Sequence, residues 1–153
     1  MLDVKQATKV FSAGTASEHH ALNGLDLHLD DGEFVTIIGS NGAGKSTLFN
    51  AICGNYWLDQ GQIFLDGQDI TFLSEHRRAR QIGRVFQDPM KGTAPHLTIE
   101  ENLALAYTRK DRKPFRSAVR KQEKDLFRTE LEKYHMDLEN RMKRKVGLLS
   151  GGQ

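Results

Sequence analysis

The sequence predicts an α/β fold with an antiparallel β part toward its start and a helical part toward its end. Three observations predict it. "LDLHLD" alternates apolar and polar residues and is followed by the apolar run "EFVTIIG". A glycine-rich loop, "GSNGAGKST", joins that run to the amphipathic stretch "GKSTLFNAIC". After Pro89 the apolar spacing changes to the three-and-four rhythm of helices.

Each element has its own signal. Leu25, Leu27 and Leu29 alternate with Asp26, His28 and Asp30, giving a strand with one wet face and a solvated His28. Asp31-Gly32 supplies hairpin turn chemistry. Phe34, Val35, Ile37 and Ile38 then predict a second strand buried on both faces, as at the centre of a parallel sheet. Leu48, Ala51 and Ile52 share one helical face. "GQIFLDGQDI" predicts a second hairpin, turning at Asp66-Gly67. "HRRARQIGRVFQ" reads as a short basic helical turn leading to a strand over 82–87. Thr98 and Glu101 form a capping-box pattern at the start of a helix. A longer helix is predicted from Ser117 to about Met136, with Val119, Leu126, Phe127, Leu131 and Tyr134 on a ragged apolar face.

Composition narrows the classes of function. With 22 basic and 20 acidic residues, the net charge of +2 lacks the basic excess of a nucleic-acid binder. No apolar run is long enough to cross a bilayer. The amino end lacks the basic start, apolar stretch and cleavage site of a secretory signal, so the expectation is a cytoplasmic or peripheral chain in a reducing compartment. The single cysteine, Cys53, is expected to be a buried small hydrophobe rather than a reactive thiol. His19 and His20 have no ligand partner at metal-binding spacing.

"GSNGAGKST", Gly39 to Thr47, carries the chemistry. Glycines let the backbone curl so that successive amides face phosphate oxygens, and the following helix adds its positive end. The candidate contacts are Gly39, Ser40, Asn41, Gly42, Ala43, Gly44, Lys45, Ser46 and Thr47. Lys45 is placed to reach the terminal phosphates and the Ser46 hydroxyl to hold Mg2+. The expected ligand is a nucleoside di- or triphosphate.

Three motifs in order, "GSNGAGKST", "VFQDP" and "LSGGQ", resemble the ATP-binding cassette (ABC) ATPases over the whole chain. The resemblance implies a P-loop NTPase of ABC type: a nucleotide-binding core with an antiparallel β subdomain over 1–88, a helical subdomain over 89–148, and the signature motif at 149–153. It implies ATP and Mg2+ as ligands and an ATPase coupled to transport across a membrane. In that family an aromatic residue stacks on adenine; the matching position is Phe11, which also reads as a strand core residue. Gln87 matches the family's glutamine at the magnesium and attacking-water region. Ser150, Gly151, Gly152 and Gln153 match the residues that meet the triphosphate of an opposing subunit, so a head-to-tail dimer is implied. Partners implied are a second nucleotide-binding subunit and transmembrane permease subunits, at the inner face of the cell membrane.

"RKDRKPFRSAVRK", Arg109 to Lys121, holds seven basic residues and one acid. It reads as a solvated face or, by the resemblance, as a surface near anionic lipid headgroups. The family also places an apolar strand ending in Asp and Glu, and then a switch histidine, after the signature. These are expected to lie beyond this chain, which is therefore expected to be an incomplete cassette without useful turnover alone. The alternatives are a soluble ABC ATPase of DNA repair or translation, or a nucleotide-binding fragment without turnover.

Overall fold

The structure is a computed structural model that describes residues 1–108 and 121–150. The chain divides into two units, Met1–Ile82 and Gly83–Gln153. Each has its own buried cluster.

The first unit is built on a four-stranded antiparallel sheet in the order β2-β1-β3-β4. β1 covers Leu2–Phe11, β2 His19–Leu29, β3 Gln60–Leu65 and β4 Gln68–Asp69. The alternation in β2 is as expected, with Leu22 buried, Leu25, Leu27 and Leu29 half-buried, and Asp26 and His28 exposed. The β3–β4 hairpin also forms at the expected turn, where Asp66 and Gly67 both adopt positive φ, 51° and 76°. The centre of β1 is irregular: the register shifts between Val4 and Ala7, and Gln6 has φ 49°. The Asp26 carboxylate satisfies that irregular turn of backbone by accepting from the Gln6 N–H at 2.7 Å.

One helix, α1 (Lys45–Cys53), packs on the sheet and buries the expected Leu48, Ala51 and Ile52. Together with Val4, Ala7, Leu22, Leu58, Ile63 and Ile70 they make the core. The loop after α1 is tied to β1 through Asp59, whose carboxylate accepts from the Val10 N–H at 2.7 Å and from Lys9 Nζ at 2.8 Å. Those two bonds, that of Lys9 first, hold the Asp59 carboxyl below the usual range. α2 (Glu75–Arg78) is the short basic turn of the sequence reading.

Two expected strands are absent. The Asp31-Gly32 turn forms, with Gly32 at φ 82° and the Glu33 N–H donating to Asp30 O at 3.3 Å, but no hairpin follows it. Residues 33–39 are irregular, and Phe34 and Ile38 are 94% and 89% exposed. Residues 82–87 are likewise irregular, with Val85 97% exposed. The reason is shared: a strand is held by backbone bonds to a neighbouring strand, and among the described residues no strand pairs with either segment. Cys53 is half-buried rather than buried.

The second unit packs α3 (Ile99–Tyr107) against α4 (Lys121–Glu132) around Ile99, Phe127, Leu131, Leu138 and Met142. Thr98 caps α3 and completes the expected box: its Oγ1 accepts from the Glu101 N–H at 3.3 Å, and the Thr98 N–H donates to Glu101 Oε2 at 2.7 Å. The next two amides, of Ile99 and Glu100, donate at 3.0 Å to the carbonyls of Arg144 and Met142. A helix start that would otherwise leave donors open is thus stitched to the segment leading to Leu149. α4 is shorter at its end than the predicted 117–136 helix, because His135 and Asp137 take positive φ, 54° and 58°. Its buried face is Phe127 and Leu131, one turn apart; Tyr134 is 66% exposed. Among the described residues no helix is long and apolar enough to cross a membrane.

Candidate nucleotide site

The loop from Gly39 to Thr47 takes the curled form that its glycines allow. Gly42 and Gly44 both have left-handed φ, 84° and 83°, and the Ala43 N–H donates to Ser40 O at 3.2 Å. Gly44 is then the N-cap of α1, whose first intrahelical bond runs from Leu48 N–H to Gly44 O at 2.9 Å. Glycine is required at 44 for a second reason: a Cβ there would lie 2.2 Å from Ala21 O on β2. The helix start is therefore seated directly on sheet backbone.

No side chain caps α1, and its first turn contains no acidic residue. The positive end of the helix is left for an outside anion. Lys45 adds the strongest local charge. Its ammonium lies across the loop, donating at 2.7 Å to both Gly39 O and Ser40 O. Ser40, Asn41, Gly42, Ala43 and Ser46 are exposed, and Thr47 is half-buried. A curled loop, an uncapped helix end and a cation with no nearby first-turn carboxylate fit a polyphosphate. Ser46 sits in the first turn of α1 with its side chain exposed, which suits a hydroxyl ligand for a phosphate-bound Mg2+.

Phe11 ends β1 opposite His19 and stands half-buried outside the buried core cluster. Its ring meets Tyr56 edge-on, with centroids 5.4 Å apart and planes at 77°. With Lys9, Asn55, Tyr56 and Trp57 it lines an open cleft of about 530 Å³. The loop contact at Ala21 is two strand positions from His19, so Phe11 belongs to the same end of the sheet as Gly44.

The other candidate residues lie in the second unit. Gln87 is exposed on irregular backbone, not at the end of a strand as expected. Asp88 follows and caps a 3-10 turn over Pro89–Gly92, its carboxylate accepting from Met90 N–H at 3.0 Å. Ser150 is exposed and follows a 3-10 turn over Val146–Leu148, with Leu149 packed on the core. Gly151, Gly152 and Gln153 lie outside the described residues, as does the basic run over 109–120.

One residue behind the site has no counterpart in the sequence reading. Arg78, read there as part of a basic turn, is 2% exposed and bonded to the carboxyl end of α1. Burial pulls its guanidinium below the usual arginine range, opposed by Cys53 and Asp69.

Comparison with known proteins agrees with this geometry. The profile of the ABC transporter family matches residues 22–153, and the chain belongs to that family. It is 41% identical, over 153 residues, to the tyrosine transport ATP-binding protein of Clostridioides difficile, covering all of this chain and 61% of that protein. It is 36% identical, over 135 residues, to the sulfate/thiosulfate import ATP-binding protein of Caulobacter vibrioides, covering 87% of this chain and 37% of that one. Among solved structures, an ATP-binding cassette in a dimeric post-hydrolysis state bound to ADP and Pi superposes with a TM-score of 0.75 at 30% identity, covering all of this chain and 65% of that chain. The fold is that of an ABC ATPase cassette. The chain thus spans about three fifths of the first of these relatives and less of the second.

Proposed function

We propose that this chain is the nucleotide-binding part of the ATP-binding subunit of an ABC transporter, an ATPase that couples ATP binding and hydrolysis to movement of a solute across a membrane. The observation that carries it is the uncapped start of α1 with Lys45 lying across the Gly39 and Ser40 carbonyls. Residues 1–88 serve as the nucleotide-binding core with its β subdomain and 89–148 as the helical subdomain.

In this reading the amides of the Gly39–Thr47 loop bind the phosphates and Lys45 moves from the loop carbonyls to the terminal phosphate oxygens. Phe11 offers its exposed ring area to the base, which apolar contact holds without reading its edges. Mg2+, where bound, offsets phosphate charge and polarises the terminal phosphoryl group; Ser46 and Gln87 are the residues of this chain assigned to it. Ser150, Gly151, Gly152 and Gln153 meet the triphosphate of an opposing copy in a head-to-tail dimer. The relatives named as transport and import ATP-binding proteins support permease subunits as partners and a place on the inner face of the cell membrane. The basic run over 109–121 is assigned to anionic headgroups there.

Lys45→Ala tests the central claim. Titration calorimetry with ADP is expected to show binding to the parent chain and a loss of at least tenfold in the variant, the scale of one charge-assisted contact to phosphate. Equal affinity in the two would remove the nucleotide reading.

A further inference from the structure

Arg78 is the largest fully buried side chain among the described residues. Its guanidinium makes four hydrogen bonds to backbone carbonyls: Nε to Leu73 O at 2.9 Å, Nη1 to Ala51 O at 2.6 Å and Ile52 O at 3.0 Å, and Nη2 to Thr71 O at 2.7 Å. The acceptors fall in two groups. Ala51 and Ile52 are last-turn residues of α1, whose carbonyls gather the negative end of the helix dipole; Ala51 O also accepts from the Gly54 N–H at 3.2 Å. Thr71 and Leu73 belong to the segment after β4.

The space for this fork is kept by Gly54, the C-cap of α1 at φ 88°. A Cβ there would lie 3.1 Å from Arg78 Nε and 3.1 Å from Glu75 N. Burying a guanidinium is costly unless its donors are used, and here they are spent on joining a helix end to a neighbouring segment. The opposite end of the same helix is seated by Gly44 on Ala21 O. A nine-residue helix is about 13 Å long, and its intrahelical bonds tie its two ends together, with Leu48, Ala51 and Ile52 in the core. Play at its carboxyl end therefore appears at the loop.

We propose that Arg78 is a positioning residue for the phosphate loop: by holding the Ala51 and Ile52 carbonyls to the Thr71–Leu73 segment, it fixes the placement of α1 along its axis and hence where the loop amides and Lys45 meet a phosphate. This rests on the nucleotide reading above. Arginine suits the task because its planar fork spans both acceptor groups at once, which the point charge of a lysine does not.

The test is ADP affinity by titration calorimetry for the full chain and for Arg78→Lys, Arg78→Met and Lys45→Ala, at a temperature where circular dichroism shows each folded. Both Arg78 variants are expected to bind ADP about tenfold more weakly, the scale seen when a group that orients a binding residue is lost. A residue that only supports the fold would lower the melting temperature and leave the affinity of the folded protein unchanged. Unchanged affinity in folded Arg78→Lys, beside a loss in Lys45→Ala, overturns the positioning role and leaves the nucleotide site standing. Unchanged affinity in Lys45→Ala overturns the site itself. If Arg78→Met does not fold, Arg78→Lys decides. If neither folds, Gly54→Ala decides, since it keeps Arg78 and crowds its Nε: weaker ADP binding supports the role and unchanged binding overturns it.

Discussion

Replacing Gly44 by alanine separates backbone strain from collision in the helix seat. The first cost is conformational. At φ 83° an alanine sits in the left-handed region, at about 1 kcal/mol. Gly42, at φ 84°, carries the same cost and serves as the control, because nothing lies within 4 Å of a Cβ built there. The second cost belongs to Gly44 alone. Its new methyl would stand 2.2 Å from Ala21 O and 3.3 Å from Leu22 Cδ2. The oxygen is main chain, so relief requires β2 or the start of α1 to move, and overpacking of this kind costs about 1–3 kcal/mol. Gly42→Ala is thus expected to lose about 1 kcal/mol and Gly44→Ala about 2–4 kcal/mol. Urea denaturation measures both, with the slope unchanged if only the native state is affected. In a thermal melt the difference corresponds to several degrees, at roughly 2–4 °C per kcal/mol for a chain of this size. Equal losses at 42 and 44 would refute the seating of α1 on Ala21, and with it the claim that this helix is fixed at both ends.

Two further outcomes follow from smaller features. Thr98→Ala removes the hydroxyl that accepts from the Glu101 N–H and donates to Glu101 Oε2 at 2.8 Å and is expected to cost about 1 kcal/mol, whereas Thr98→Ser keeps the oxygen and most of the stability; paired urea melts read the difference. His28 faces Asp3 at 2.6 Å and Asp30 at 3.3 Å, and these partners, Asp3 first, raise its pKa above the ordinary 6.5. A raised folded-state pKa stabilises fully below the unfolded value and is lost as pH rises through the folded one. Melting temperature is therefore expected to fall as pH rises from about 6 to 8, and His28→Gln to flatten that part of the profile, the more so at low salt.

What could be read from the sequence was local. The buried face of α1 follows from spacing alone, because Leu48, Ala51 and Ile52 meet on one side of any helix drawn through them. The Thr98–Glu101 box and the Asp66-Gly67 turn are likewise decided within four residues. The segments 34–38 and 82–87 show the opposite case. The apolar run over 34–38 states a preference for burial and 82–87 reads only as a strand, but a ladder is made with other strands, and none of β1 to β4 pairs with them. Arg78 was unreadable for another reason. In "HRRARQ" it looks no different from Arg77 or Arg80, and only the folded chain shows which arginine points at the end of α1. The curl of the loop from Gly39 to Thr47 was legible because glycines at fixed positions decide its backbone. Gln87 lies on irregular backbone and Gly151 to Gln153 lie outside the described residues, so no local pattern decides where they stand.

The pose of Lys45 bears on which anions the loop would choose. Its ammonium is already engaged, with two carbonyl oxygens at 2.7 Å. An ammonium has three donors, so one phosphate oxygen can be met without loss, and only a further one would have to displace a loop carbonyl. A small univalent anion would meet the third donor and leave both carbonyl bonds in place. Under the proposed nucleotide reading, a chain of phosphates would bring several oxygens to the lysine and the helix amides together, and the Gly39 and Ser40 carbonyls would compete with those oxygens for the same ammonium.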